Sequence, residues 1–249
     1  MSLFGNLFKP NENLKEPLDL SVLGADMHSH FIPGIDDGSD SMEKSLEMAR
    51  AMVNLGYKKL ITTPHTMQDY YKNTPEIINK GLAELKKAIN DAGIPLQVEA
   101  ASEYLIDEGF LKKFHAGELL TFGNKYILVE ISFYVPPENL YQVLFDLKLE
   151  GYSPILAHPE RYGYWHHDFE KYITLKDREI LLQINLPSLS GFYSPNVRKI
   201  AEQLIDNNMV DFVGTDAHNM EYIDFVDKSR HSKHLEKLLQ SGKLLNNTL

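Results

Sequence analysis

Cysteine is absent from the 249 residues, and that lack removes several chemistries at once. No thiolate nucleophile, no zinc–thiolate site and no disulfide scaffold can be built. It also fits a reducing, cytoplasmic setting, the expected compartment. Long apolar runs are missing too: no stretch approaches the roughly 20 residues needed to span a bilayer. The first segment, "MSLFGNLFKPNENLKEP", has neither the apolar core nor the small-residue cleavage site of a secretory signal. Residues 1–22 are expected as a loosely ordered leader, with a short amphipathic membrane contact through Phe4, Leu7 and Phe8 as one option. Positive charge is in deficit: 25 Lys and Arg against 35 Asp and Glu give a net charge of −10. That balance argues against a nucleic-acid partner, while clustered carboxylates attract divalent cations. No G-x-G-x-x-G follows an apolar run, so a dinucleotide-binding fold finds no support.

What is present is alternation. Seven short runs rich in Val, Ile and Leu read as strands: 24–30, 58–65, 95–103, 125–132, 152–160, 179–185 and 210–218. Between them lie amphipathic patterns. In 41–56, Met42, Leu46, Ala49 and Val53 recur at helical spacing behind an Asp40/Glu43 capping box. Thr74-Pro75 and Ser194-Pro195 each pair an N-cap residue with Pro at the first helical position. Residues 138–150 and 226–240 are further helical patterns. Alternating strands and helices imply parallel strands with right-handed crossovers. Seven such units predict an α/β fold, a (β/α)7 TIM-like barrel over residues 23–249 as a single domain. An open doubly wound sheet is the alternative.

In a parallel barrel the functional side chains gather at the C-terminal ends of the strands. The candidate strands end in His28 and His30, His65, Glu103, Glu130, His158, and Asp216 with His218. All are metal-ligand types. His28 and His30 are two apart, so in an extended chain both leave the same face, roughly 6.6 Å apart at Cα. Two imidazoles so placed can converge on one ion at about 2.1 Å each. Asp216 and His218 have the same spacing and are expected to converge likewise. Mixed His and carboxylate donors favour Zn, Mn or Fe over Ca, and several carboxylates allow one to bridge two ions.

Blander readings apply elsewhere. His115, His231 and His234 fall on helical or connecting segments and are expected to be hydrogen-bonded residues rather than ligands. His166 and His167 in "YWHHD" are expected in a solvated loop, and Glu99, Asp107 and Glu108 as surface charges. Tyr162, Tyr164 and Trp165 either form a pocket for a phenyl ring or seal the barrel top as packing. The case for metal is the collection: eight donors ending six strands of one barrel, where unpaired buried charge would be costly.

The motifs D-x-H-x-H (26–30), "PGIDDG" (33–38), "TTPH" (62–65), "HPER" (158–161) and "TDAH" (215–218) resemble the polymerase and histidinol phosphatase (PHP) superfamily. Within it, "DMHSHFIPGIDDGS" and "AHPERY" are similar to the bacterial PHP-type tyrosine-protein phosphatases. These act on the tyrosine kinases that control capsule and exopolysaccharide export. The resemblance runs from about residue 24 to about 220. It implies a distorted seven-stranded barrel and three divalent ions, manganese foremost. It also implies ligand sets: His28, His30 and Asp216 for the first ion with Glu103 bridging; Glu103, Glu130 and His158 for the second; Asp37, His65 and His218 for the third. Arg161 resembles the phosphate-binding arginine. A second arginine that some members carry after the last motif is replaced here by "NMEYID", with Arg230 as a substitute candidate.

A metal cluster beside one arginine points to phosphoester hydrolysis. Cations lower the pKa of water from about 15.7 to about 7. Arg161 offers a planar two-pronged fit to phosphate. A tyrosyl leaving group, with a pKa near about 10, needs little acid help, for which His65 and Asp37 are the candidates. Without cysteine, a phosphocysteine route is closed. The competing readings are a PHP enzyme of a small phosphoester such as histidinol phosphate, a metal-dependent amidohydrolase, and a catalytically silent binding module.

Overall fold

A computed structural model describes residues 13–249. The chain forms nine short strands among the described residues: β1 (Ala25–Asp26), β2 (Lys59–Thr62), β3 (His65–Thr66), β4 (Gln97–Ala100), β5 (Glu103–Leu105), β6 (Tyr126–Glu130), β7 (Ser153–Ala157), β8 (Leu181–Asn185) and β9 (Phe212–Gly214). All pair in parallel, in two ladders ordered β1-β2-β4 and β3-β5-β6-β7-β8-β9. The predicted second and third strands are therefore each split in two. Pro64 explains the first split, since it has no N–H to give the ladder. Its carbonyl instead accepts from Ser102 Oγ at 2.9 Å.

The two ladders form a curled parallel sheet. An isolated parallel bridge, Ser29 to Ala217, joins its first and last runs. Asp216 N donates to His28 O at 2.8 Å, and His30 N to Ala217 O at 3.0 Å. Asp26 adds a side-chain clasp, accepting from Thr215 N (2.9 Å) and Thr215 Oγ1 (2.8 Å). Inside the curl, Met27, Ile61, Leu128, Ile155, Ala157 and Phe212 form one buried apolar cluster. Side chains alternate along a strand, so Leu128 at the cluster and Glu130 two residues on share the inward face. An apolar floor thus lies beneath a polar rim.

Helices cover the outer face: α1 (Met42–Asn54), α2 (Pro75–Asp91), α3 (Glu108–Ala116), α4 (Leu140–Leu149), α5 (Glu170–Asp177), α6 (Leu186–Leu189), α7 (Pro195–Asp206), α8 (Met220–Ser229) and α9 (Lys233–Gln240). Thr74 and Ser194 cap α2 and α7 as expected, accepting from Ile77 N and Val197 N. At α1 the cap is Ser41, not Asp40. Asp40 pairs instead with Lys44 on the surface. The predicted helix 226–240 breaks at Ser232, whose side chain caps α9 by accepting from Leu235 N. One end of the expected loose leader is tied down. Leu14 N and Leu18 N donate to His231 O and Arg230 O, and Leu20 and Leu23 are buried. Phe4, Leu7 and Phe8 lie outside the described residues. Among the described residues no helix is long and apolar enough to cross a membrane.

Candidate metal centre

The strand ends deliver the expected donors to one rim. His28, His30, Glu103, Glu130, His158 and Asp216 are all 0–2% exposed. His28 Nε2 and His30 Nε2 lie 3.2–3.5 Å from each other and from both Glu103 Oε2 and Asp216 Oδ1. A tetrahedron with metal–ligand bonds of about 2.1 Å has edges of about 3.4 Å, so these four donors match the shell of a single cation. A second group joins His65 Nδ1 to Glu130 Oε1 (2.9 Å) and Glu103 Oε2 (3.0 Å). A third brings His30, Asp37, His65 and His218 together, with Asp37 Oδ1 3.5 Å from both His65 Nε2 and His218 Nε2. Glu103 Oε2, Glu130 Oε1 and His65 Nδ1 are buried and close, yet none has a hydrogen-bond partner. Buried polar atoms are seldom left so. Donors aimed at a common point rather than at each other are what a cation requires, and the residues present fit divalent metal.

An outer layer fixes how the imidazoles point. His28 Nδ1 meets Gln183 Oε1 at 2.8 Å, His30 Nδ1 meets Asp36 Oδ2 at 2.7 Å, and His218 Nδ1 meets the Asp216 carbonyl at 2.7 Å. Each of these oxygens accepts, which assigns the proton to Nδ1 and turns Nε2 inward, the usual arrangement behind a metal-ligating histidine. Asp216 divides its carboxylate. Oδ1 faces His28 and His30, while Oδ2 accepts from Asn185 Nδ2 (2.7 Å), Arg161 Nη1 (2.8 Å) and Tyr193 OH (3.3 Å). Asp216 and His158 both hold left-handed backbone, φ 51° and 36°. Non-glycine residues adopt that region at a cost and cluster at functional sites when they do.

The charges explain one another. Burial alone would push the Glu103 and Asp216 carboxyls up. Instead His28 and His65 hold Glu103, and His28, His30, His218 and Arg161 hold Asp216, well below the usual range. Burial disfavours a charged His30, but Asp36 and Asp216 outweigh it and raise the ring to about 10. For His158, burial and then the Arg161 charge lower the value. The rim is an excess of buried negative charge that demands cations, whether protons on imidazoles or metal ions.

Some expectations need correction. Asp216 and His218 do not converge on one point, because the left-handed backbone at Asp216 breaks the same-face rule for residues two apart. His158 Nε2 is 2.9 Å from Glu103 Oε1 but 3.9 Å from Glu130, whereas His65 Nδ1 lies within 3.0 Å of both glutamates. Arg230 is no substitute arginine: its Nε donates to Leu18 O and its Nη1 to Asp227. Tyr162 and Trp165 are buried packing, and the Tyr162 hydroxyl donates to Ala157 O and accepts from Ile131 N. His166 meets the Glu160 carbonyl, so it is not simply solvated, whereas His167 is exposed. His231 meets Leu14 O, and His234 lies 3.6 Å from Glu202 and Asp206, both away from the rim. Glu99 pairs with Lys59, and Asp107 caps α3. The structure adds Asp26, Asp36, Gln183 and Asn185 to the residues expected at the site. A signal for the last two was visible: polar residues two apart in the otherwise apolar run "EILLQIN".

A curled parallel sheet carrying this His and carboxylate rim defines the class, an α/β fold of the PHP type. Residues 24–224 match the family described as capsular polysaccharide synthesis, CpsB/CapC, and the chain belongs to that family. It is 33% identical over 201 residues to the tyrosine-protein phosphatase YwqE of Bacillus subtilis (strain 168), covering 80% of this chain and 79% of that protein. It is 25% identical over 202 residues to the tyrosine-protein phosphatase CpsB of Streptococcus agalactiae (79% and 83%). A solved structure from work on YwqE of Bacillus subtilis and CpsB of Streptococcus pneumoniae, described as unique metal-dependent tyrosine phosphatases, aligns with a TM-score of 0.75 and 32% identity, covering 87% of this chain and 85% of that one. As fold alone, histidinol phosphate phosphatase from Lactococcus lactis subsp. lactis, complexed with Zn, L-histidinol and phosphate, aligns with a TM-score of 0.51 and 16% identity (91% and 94%).

Proposed function

We propose that the protein is a metal-dependent phosphatase that hydrolyses phosphotyrosine on a protein, a tyrosine kinase of polysaccharide export, in the cytoplasm. The observation that carries this reading is the convergence of His28 and His30, 3.2–3.5 Å from each other and from both Glu103 and Asp216, with Arg161 on the outer oxygen of Asp216. The three donor groups suit three divalent ions. Mn is the first choice, and Fe or Zn also suit mixed His and carboxylate donors. His158, beside Glu103, completes the proposed ligand set. Counting the interrupted runs 59–66 and 97–105 once each supports a distorted seven-stranded barrel.

Bound there, divalent cations supply Lewis acidity and make water a nucleophile at neutral pH. The chain's own residues do the rest. Arg161 is 21% exposed and has donors beyond the one spent on Asp216 to offer a phosphoryl oxygen. Asp37, 53% exposed, stands at the mouth. Burial would raise its carboxyl, but His218 and His65 hold it low, which suits it to bind a cation rather than deliver a proton. His65, between Asp37 and the two glutamates, is likewise assigned to cation binding. A phenolate leaving group with a pKa near about 10 tolerates weak acid assistance.

Metal analysis of protein purified without chelator, paired with turnover of a phosphotyrosine peptide and of histidinol phosphate after adding Mn2+, tests the proposal. Bound metal and a higher kcat/KM on the peptide are expected. A preference for histidinol phosphate would move the enzyme to small phosphoesters, and absence of both metal and turnover would end the proposal.

A further inference from the structure

The loop after β6 places an aromatic ring beside His158 and Arg161. Phe133 is 43% exposed. Its ring stacks on the His158 imidazole, centroids 5.5 Å apart at 23°. It also lies over the Arg161 guanidinium, with Cζ 4.7 Å from the centroid. Tyr193 covers the same guanidinium at 4.2 Å, so Arg161 is held in an aromatic sandwich whose Tyr193 side is half-buried and tied through the Tyr193 hydroxyl to Asn185 and Asp216. The Phe133 side faces out. The loop is pinned at its base, because Tyr162 OH accepts from Ile131 N (3.1 Å) and Tyr164 OH donates to Ser132 O (2.8 Å). The aromatics that follow the HPER motif are thus supports, and Phe133 is the ring they present.

We propose that Phe133 is a specificity-determining residue that favours aryl over alkyl phosphoesters, its exposed face stacking on the phenyl ring of a substrate whose phosphate meets Arg161. The proposal rests on the phosphatase reading above. Offset aromatic contacts contribute modestly and selectively. An alkyl ester has no ring to stack, whereas the cation contact with Arg161 serves both substrate types.

The test compares wild type, Phe133→Ala and Phe133→Tyr, each loaded with Mn2+ and checked for unchanged metal content. The substrates are phenyl phosphate and a phosphotyrosine peptide against ethyl phosphate and a phosphoserine peptide. Phe133→Ala should raise KM for the aryl substrates about three- to tenfold, move kcat less, and leave the alkyl substrates near wild type. Phe133→Tyr should restore the aryl preference. Equal losses on aryl and alkyl esters would show that Phe133 only seats Arg161 and would overturn the proposal, as would no change on either. If wild type turns over neither ester, the phosphatase reading fails on its own. Calorimetric binding of phenyl against ethyl phosphate then decides: a preference lost in Phe133→Ala supports stacking, and equal binding to wild type sinks it.

Discussion

At the residue scale the histidines divide by what their second nitrogen meets. His28, His30 and His218 each place Nδ1 on an oxygen behind the rim, leaving Nε2 to face the donors. His231 uses Nδ1 to hold Leu14. Replacing His158 or Asp216 by Ala should abolish turnover and lower bound metal. His231→Ala should leave turnover near wild type and cost about 1 kcal/mol of stability through one lost hydrogen bond. Equal loss of activity in all three would overturn this division. Glu160 carries a pH dependence. Burial, only partly offset by the donors Asn185 N and Ser188 Oγ, raises its carboxyl to about 7. Its folded-state value thus exceeds its unfolded one, so the folded protein binds the proton more tightly. Its contribution is fully present below about 4.5 and is lost as pH rises toward about 7. Urea unfolding of metal-free protein at pH 5 and 7.5 should therefore show a smaller drop for Glu160→Gln than for wild type, and equal drops would refute the assignment.

At the scale of elements, the rim depends on close backbone approach. A Cβ at Gly38 would lie 2.3 Å from His30 Cβ and 2.4 Å from His30 O, and no flexible side-chain end is there to give way. Gly38→Ala should cost about 2–3 kcal/mol, read by denaturant unfolding, and should weaken metal binding because it displaces His30. An unchanged midpoint and metal content would show that the "DDG" turn is not what seats His30. The aspartates of that turn are split in role: Asp36, buried, holds His30 and accepts from His65 N, while Asp37 reaches the mouth. Likewise the Asp of D-x-H-x-H is no ligand. Asp26 clasps Thr215 and draws the first and last runs of the sheet together.

For the whole molecule, an apolar floor under a buried, negatively charged rim means that folding and cation binding are linked. Any ligand that binds only the folded state stabilises it by mass action. Saturating Mn2+ should raise Tm over chelated protein by about 5–10 °C at a hundredfold excess over Kd, measured by thermal unfolding with and without EDTA. No shift would mean that the rim does not hold the ion. Such a gain is consistent with the buried donor atoms that lack hydrogen-bond partners, which a bound cation would satisfy.

The alternation of apolar runs and amphipathic helices, and the polar residue at each strand end, are local properties, and residue order alone determined them: the α/β class, the parallel strands and the set of candidate donors. Tertiary structure decided which donors share a point. The break at Pro64, the left-handed turn at Asp216 and the bridge from Ser29 to Ala217 each redirect side chains in ways that spacing along the chain does not encode. The same holds for the supporting layer. Gln183, Asn185, Asp36 and Phe133 acquire their parts only from neighbours far away in sequence, because hydrogen bonding and stacking depend on distance in space.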